Sequence, residues 1–350
     1  MKRNVAVGIQ NFSKIVEQNY FYIDKTSFIK EWWTNADDVT LITRPRRFGK
    51  TLTMSMVECF FSVKYAGRSD LFKDLSIWID EDFRRLQGTY PVIFLSFSDV
   101  KAASFDQARK TICQIIKELY RENDFLLKSD ILSDSEKEDF QNITVDMEDY
   151  QAAYSLKRLS DYLCRYYGKK VIILLDEYDT PIQEAYMDGY WEEMSGFIRR
   201  LFNSTFKTNP WLERAIMTGI TRISKESIFS DLNHPKVVTT TSNEYAECFG
   251  FTEAEVFDAM ETFGFSNKDE IKHWYDGFSF GDKKDIYNPW SILNFLDTGR
   301  LGTYWVNTSS NRLVHKLIQA GDASVKTTME DLLHGNTYRA EIDEQICVPV

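Results

Sequence analysis

Histidine and cysteine are scarce in this chain of 350 residues, with four of the first and five of the second. The cysteines, Cys59, Cys113, Cys164, Cys248 and Cys347, are odd in number, widely spaced and without a Cys-x-x-Cys pair. That pattern argues against a disulfide frame or a zinc site and reads as reduced, buried thiols of a cytoplasmic protein. His234, His273, His315 and His334 are too scattered for a metal cluster to be drawn from them. No apolar run approaches the ~20 residues that span a bilayer, and MKRNVAVGIQ lacks the apolar core of a signal peptide. Positive charge is in deficit: 42 basic against 53 acidic residues leave −11, which disfavours general nucleic-acid binding, because phosphate neutralisation dominates that affinity. The basic pairs Arg84-Arg85 and Arg199-Arg200 read as solvated helix faces. Low-complexity linkers and internal repeats are missing as well.

What is present starts at Arg44–Thr51, RPRRFGKT. It lies between an apolar run, Val39–Thr43, and a helix-like segment, Thr51 to Phe61. Strand, tight loop and helix start are the setting of a phosphate-binding loop. Of the pattern G-x-x-x-x-G-K-[ST], Gly49, Lys50 and Thr51 are intact and Arg44 replaces the first glycine. Gly49 lets backbone N–H groups turn towards phosphate oxygens, and the helix adds its positive end. Lys50 is placed to reach the β- and γ-phosphates of ATP, and the Thr51 hydroxyl to ligate Mg²⁺. Arg46, Arg47, Phe48 and Leu52 complete the candidate nucleotide-binding stretch. A basic turn followed by a buried helix is the plainer alternative.

A second motif narrows the choice. In KKVIILLDEYD, Lys169 to Asp179, the apolar run Val171–Leu175 suits a strand buried on both faces of a parallel sheet. Asp176 and Glu177 emerge at its carboxyl end, the edge where open α/β sheets bind ligands. Such a strand ending in Asp-Glu is the Walker B pattern of ATPases with an extra catalytic glutamate. Asp176 would then hold Mg²⁺ and Glu177 polarise the attacking water. Further strands are read at Tyr90–Ser98, Ala215–Thr218 and Val237–Thr240. Thr218, with Thr221 as substitute, is the candidate sensor of the γ-phosphate; a threonine capping a strand end is the structural alternative.

The organisation follows from these motifs. Residues 1–245 read as a P-loop ATPase domain with a helical insertion around 100–168, of which Ser129 to Asp149 is acidic, polar and expected to be exposed. In the first segment Phe12 and Tyr22 are candidates for contact with adenine, while Asp24 and Lys25 are expected to cap a helix over Thr26–Trp33. Residues 246–335 read as short helices forming a lid: Thr252 with Glu255 makes a capping box, and Asn288 caps a helix that has Pro289 at its first position. The aromatics there are read as core. Residues 336–350 look like the start of a following segment, strand-like over Gln345–Val350.

Together RPRRFGKT, VIILLDEYD, TGITRIS, WYDGFSF and YNPWSI, with VGIQNF and YIDKT before them, resemble the AAA-ATPase-like family of bacterial proteins. The resemblance covers nearly the whole chain. Binding of ATP with Mg²⁺ and slow hydrolysis coupled to a protein or C-terminal domain partner is the leading functional reading of the motifs, and the resemblance implies an α/β P-loop NTPase of the additional-strand, glutamate-bearing type with a parallel 5-1-4-3-2 sheet. It implies a site at Gly49, Lys50, Thr51, Asp176 and Glu177, and less securely Thr218; Arg44 at the first loop position is typical of the family. Arg222 is the first candidate for an arginine finger, followed by Arg199 and Arg200. Relatives often carry a C-terminal PD-(D/E)XK nuclease-like domain, which this chain is expected to lack; Glu270-Ile271-Lys272 reads as surface. Two other functions stay open at this level: a scaffold that holds nucleotide without turnover, and a DNA-linked ATPase, which would need a basic groove.

Overall fold

The computed structural model describes residues 3–223, 235–305, 318, 319, 321, 323–334 and 336. Cys347 and the run Gln345–Val350 lie outside them. The chain opens with helices α1 (Phe12–Glu17) and α2 (Ser27–Asn35), then strand β1 (Val39–Thr43) and helix α3 (Lys50–Phe61). There follow α4 (Glu81–Leu86), β2 (Val92–Ser96), α5 (Phe105–Glu122), α6 (Asp134–Gln141), α7 (Asp149–Tyr167) and β3 (Val171–Asp176). Next come α8 (Thr180–Asp188), α9 (Trp191–Phe202), β4 (Leu212–Gly219) and β5 (Lys236–Val238).

These five strands form one parallel sheet in the order β2-β3-β4-β1-β5, which is the expected 5-1-4-3-2 read from the other edge. Every residue of β1 and of β3 is buried. Alternation explains how both faces are used. Val171, Ile173 and Leu175 join the core under α5, α7, α8 and α9, whereas Ile172 and Leu174 join the core under α2 and α3. The acidic stretch Ser129 to Asp149 is pinned rather than simply exposed, because Leu132, Phe140, Ile143 and Met147 insert into the first of these cores. Thr26, not Asp24 or Lys25, is the N-cap of α2, and Asp24 instead braces it by accepting from Thr26 N at 2.8 Å, while Lys25 reaches Glu247 O.

A second, smaller unit begins at β6 (Phe251–Thr252) and continues through α10 (Glu253–Phe263), α11 (Lys268–Tyr275), β7 (Phe278–Phe280), β8 (Lys283–Tyr287) and α12 (Pro289–Thr298). The capping box at Thr252 and the Asn288 cap are both formed. The region is not built of helices alone: β6, β8 and β7 make a three-stranded antiparallel sheet. Phe278 and Phe280 point to one face of it by the period of two, so this part of WYDGFSF pairs as a strand. The unit has its own core around Val256, Met260, Ile271, Ile292 and Phe295, against which Val5, Phe21 and Ile23 of the first segment pack. Phe280 and Ile286, by contrast, belong to the same core as α3, so the small sheet is seated against the phosphate-loop side of the parallel one.

Candidate functional site

The parallel sheet sets the site. β4 lies between β1 and β3, so the exits of all three strands meet at one edge. After β1 the chain turns through Arg44–Gly49 and enters α3 at Lys50. Gly49 is left-handed, at φ 83°, and a Cβ there would have nothing within 4 Å, so an anion can approach the backbone at the helix start. The Lys50 side chain is buried, and its Nζ donates to Arg44 O and Pro45 O at 2.9 Å each. Burial pushes its pKa down, and the nearby carboxylates of Asp179, Asp176 and Glu177 push the other way.

Asp176 ties the edge together. Its Oδ2 accepts from Thr51 Oγ1 at 2.7 Å, and its Oδ1 accepts from Thr218 Oγ1. Asp176 and Thr218 are each only 1% exposed, so both sit behind the Thr51 hydroxyl. Glu177 follows in a left-handed conformation, at φ 53°, which costs a residue with a side chain about 1–2 kcal/mol. Such strain is kept where a side chain must be aimed. Glu177 lines a cleft of about 910 Å³, with its Oε2 accepting from Thr180 Oγ1 at 3.1 Å.

The cleft has two walls. Lys50, Thr51 and Glu177 belong to the sheet edge; Phe251, Trp290 and Leu293 belong to the second unit. Arg46, Arg47, Phe48, Gly49, Leu52 and Tyr22 also line it. The Arg47 guanidinium lies over the Trp290 ring at 4.3 Å. Phe12 is elsewhere: it is fully buried, stacks on Phe72 at 5.2 Å and has its backbone N–H bonded to Ser55 Oγ, so of the two aromatics only Tyr22 reaches the cleft. Arg222 is outside the cleft lining, beside Tyr178. On α9, Arg200 is paired with Asp149 at 2.8 Å, and neither it nor Arg199 lines the cleft.

Thr51 and Asp176 together offer a hydroxyl and a carboxylate oxygen 2.7 Å apart, hard oxygen donors of the kind Mg²⁺ takes alongside water and phosphate oxygens. Glu253, Asp276 and Asp285 form another acidic cluster among the described residues. There Lys272 Nζ already reaches all three carboxylates, at 2.5, 3.9 and 3.5 Å, so part of their charge is compensated from within the cluster.

A family model described as predicted AAA-ATPase, AAA-ATPase-like, matches residues 6–229. The chain belongs to the AAA-ATPase-like family. This AAA-ATPase-like chain is also 29% identical, over 314 residues, to an Azotobacter chroococcum mcd 1 protein named "Uncharacterized protein in vnfD 5'region". The alignment covers 88% of the chain and 55% of that protein, so the chain spans about half the length of the curated relative it matches. Family membership and the parallel α/β sheet support nucleotide binding and, at a coarse level, an ATPase. No helix among the described residues is long and apolar enough to cross a membrane.

Three residues of the cleft and the sheet edge beside it went unassigned in the sequence. Asp179 is buried, and its Oδ2 accepts from Ile220 N, Thr221 N, Thr221 Oγ1 and Gln183 Nε2 at 2.6–2.9 Å, which fixes the exits of β3 and β4 to each other. Thr221 thereby serves Asp179, while Thr218 serves Asp176. Lys25 lines the cleft and bridges to Glu255 at 2.7 Å and to Glu247 O at 2.7 Å. Trp290 reads as core in the sequence and stands on the cleft wall in the fold. Only Asp179 had a local signal, its place in the DEYD run; the partners of Lys25 and Trp290 are more than 200 residues away.

Proposed function

We propose that the chain binds ATP with Mg²⁺ at the loop Arg44–Thr51 and hydrolyses it slowly, passing the nucleotide state to a protein or domain partner. The observation that carries this reading is the Thr51–Asp176 hydrogen bond, which joins two motifs 125 residues apart at the edge where the α3 N-terminus opens. The backbone N–H groups at Gly49 and the first turn of α3 receive the phosphates, aided by the helix dipole. The Lys50 ammonium exchanges its two carbonyl partners for β- and γ-phosphate oxygens, a charge-assisted contact in a weakly solvated place. Thr51 and Asp176 are the residues that would hold Mg²⁺. The ion, when bound, would neutralise charge on the phosphate oxygens. Glu177 orients the attacking water and takes up its proton, and its left-handed backbone keeps the carboxylate in the cleft. Thr218 holds Asp176 from behind. Tyr22, on the cleft lining, is the residue we assign to contact with the adenine base.

The test is calorimetric titration with ATP and Mg²⁺ on the wild type and Lys50→Ala, followed by phosphate release from the wild type and Glu177→Gln. Saturable binding that is weakened in the first variant, and binding without turnover in the second, are expected. Equal affinity in wild type and Lys50→Ala would overturn the assignment of the loop.

A further inference from the structure

Arg44 is the position where the usual phosphate loop has glycine, and the proposed function gives its side chain no task. The side chain is fully buried. Its Nη1 donates to Thr43 O at 3.1 Å and to Thr239 O at 2.5 Å, and its Nη2 donates to Glu244 O at 3.2 Å. The guanidinium lies over Phe280 at 4.7 Å and near Phe249 at 5.7 Å. It has no carboxylate within ion-pair distance among the described residues, and its Nε is buried without a partner. A buried cation satisfied only by carbonyls and ring faces costs more than an apolar residue of the same shape, so something other than stability calls for it. A planar fork that binds several acceptors at once and also stacks is what arginine offers and lysine or glycine does not.

The groups it holds identify the task. Thr43 ends β1, Thr239 follows β5, Glu244 lies in the connection to the second unit, and Phe280 is on β7. The backbone of the same residue serves the loop: Arg44 O accepts from Lys50 Nζ, and Arg44 N donates to Gly219 O at the end of β4. Phe48 repeats the connection from the other end of the loop. Its ring packs edge-on against Phe278 at 4.8 Å and Phe280 at 5.4 Å, and its carbonyl accepts from Gly250 N at 3.3 Å. Gly250 has φ +83°, and a Cβ there would fall 2.6 Å from Ile286 and 3.0 Å from the Phe48 ring, so nothing larger fits between the loop and β8.

We propose that Arg44 is a positioning residue that locks the phosphate loop to the three-stranded sheet, so that nucleotide bound in the loop is felt at the β7–β8 hairpin. This inference rests on the ATP-binding reading above. When Lys50 leaves Arg44 O and Pro45 O for phosphate, the backbone it releases is the backbone whose side chain braces the hairpin. The loop and the hairpin therefore move as one body, and the hairpin is the output of the site.

The experiment is hydrogen exchange by mass spectrometry at residues 278–287, with and without ATP and Mg²⁺, together with calorimetry, on the full chain as wild type, Arg44→Lys and Arg44→Gly. ATP is expected to slow exchange at 278–287 in the wild type. Arg44→Gly, which restores the glycine of the usual loop, should lower ATP affinity about tenfold, speed hairpin exchange in the free protein and abolish its response to ATP. Arg44→Lys keeps the charge and should recover only part of both effects. Affinity within about twofold of wild type and an unaltered hairpin response in Arg44→Gly would overturn the proposal. If Arg44→Gly does not fold, Arg44→Lys decides by the same two readouts. If the wild type binds no ATP, the functional reading fails, while hairpin exchange in the free variants still decides whether Arg44 is the brace.

Discussion

The two walls of the cleft are built on different terms. The sheet-edge wall hangs on β1 and β3, strands with every residue buried, and its central carboxylate, Asp176, is held from both sides by threonine hydroxyls. The opposite wall belongs to a small unit of short strands and helices. It is joined to the first by the core that Phe280 and Ile286 share with α3 and by discrete contacts: Lys25 with Glu255, Arg47 with Trp290, Phe48 with Phe278 and Phe280, and Asn288 with Arg46 O. A wall fixed by strands suits groups whose spacing sets the chemistry. A wall of short elements joined through side chains can adjust to what the cleft holds.

The comparison is broken most directly at the rigid wall. Glu177→Gln should lower phosphate release by about 10²–10⁴-fold while ATP affinity stays within a few-fold, because the change removes a base and leaves the cradle. Unchanged turnover would take Glu177 out of the chemistry. Lys50→Ala should cost about 1.5–3 kcal/mol of ATP affinity, read by calorimetry, since one charge-assisted contact is lost. Both effects should exceed anything produced by substitutions in the opposite wall.

At that second wall the effects should be graded and spread between stability and binding. Lys25→Met removes the cation between Glu255 and Glu247 O, and should cost about 1.5–3 kcal/mol in denaturant unfolding with a smaller loss of ATP affinity. A loss of affinity as large as that of Lys50→Ala would mean that Lys25 touches nucleotide directly. Trp290→Ala removes the stack on Arg47, about 0.5–2 kcal/mol, and should weaken ATP binding by less than Lys50→Ala does.

The smallest effect concerns two buried thiols of the core that α3 shares with the start of the second unit. Burial pushes both Cys59, on the buried face of α3, and Cys248, on the cleft, up to about 12. The unfolded thiols lose their protons near the ordinary 9.0 and the folded ones do not, so stability is undiminished below about pH 9 and falls as pH rises from there towards 12. Alkylation at pH 8 should be slow for both in the native state and fast after unfolding. Rapid modification of Cys248 alone would show that the cleft side of this core opens on its own.

Much of the sheet-edge wall was legible and little of the opposite one was. Val171–Leu175 is an uninterrupted apolar run, and such a run has one comfortable place, the middle of a covered parallel sheet. Once it is placed there, Asp176 and Glu177 must emerge at the edge shared with Gly49–Thr51. Phe12 and Tyr22 show the opposite case. Both are aromatics in one short segment, yet Phe12 packs on Phe72 in the core and Tyr22 faces the cleft, a choice made by residues far along the chain. The three-stranded sheet was missed because Phe278–Phe280 is too short to display its period among the helices around it.

The order of the motifs, the strand identities and the acidic character of the edge were settled by the sequence alone, because each follows from local pattern and covalent direction. Which side chains face one another was decided only by the tertiary structure. The fork of Arg44 on Thr239 and Glu244, the pairing of Lys25 with Glu255 and the stack of Arg47 on Trp290 each join residues about 195 or more positions apart. Contacts at that range have no signature in the neighbouring residues; they exist because two sheets distant in the chain must share one loop.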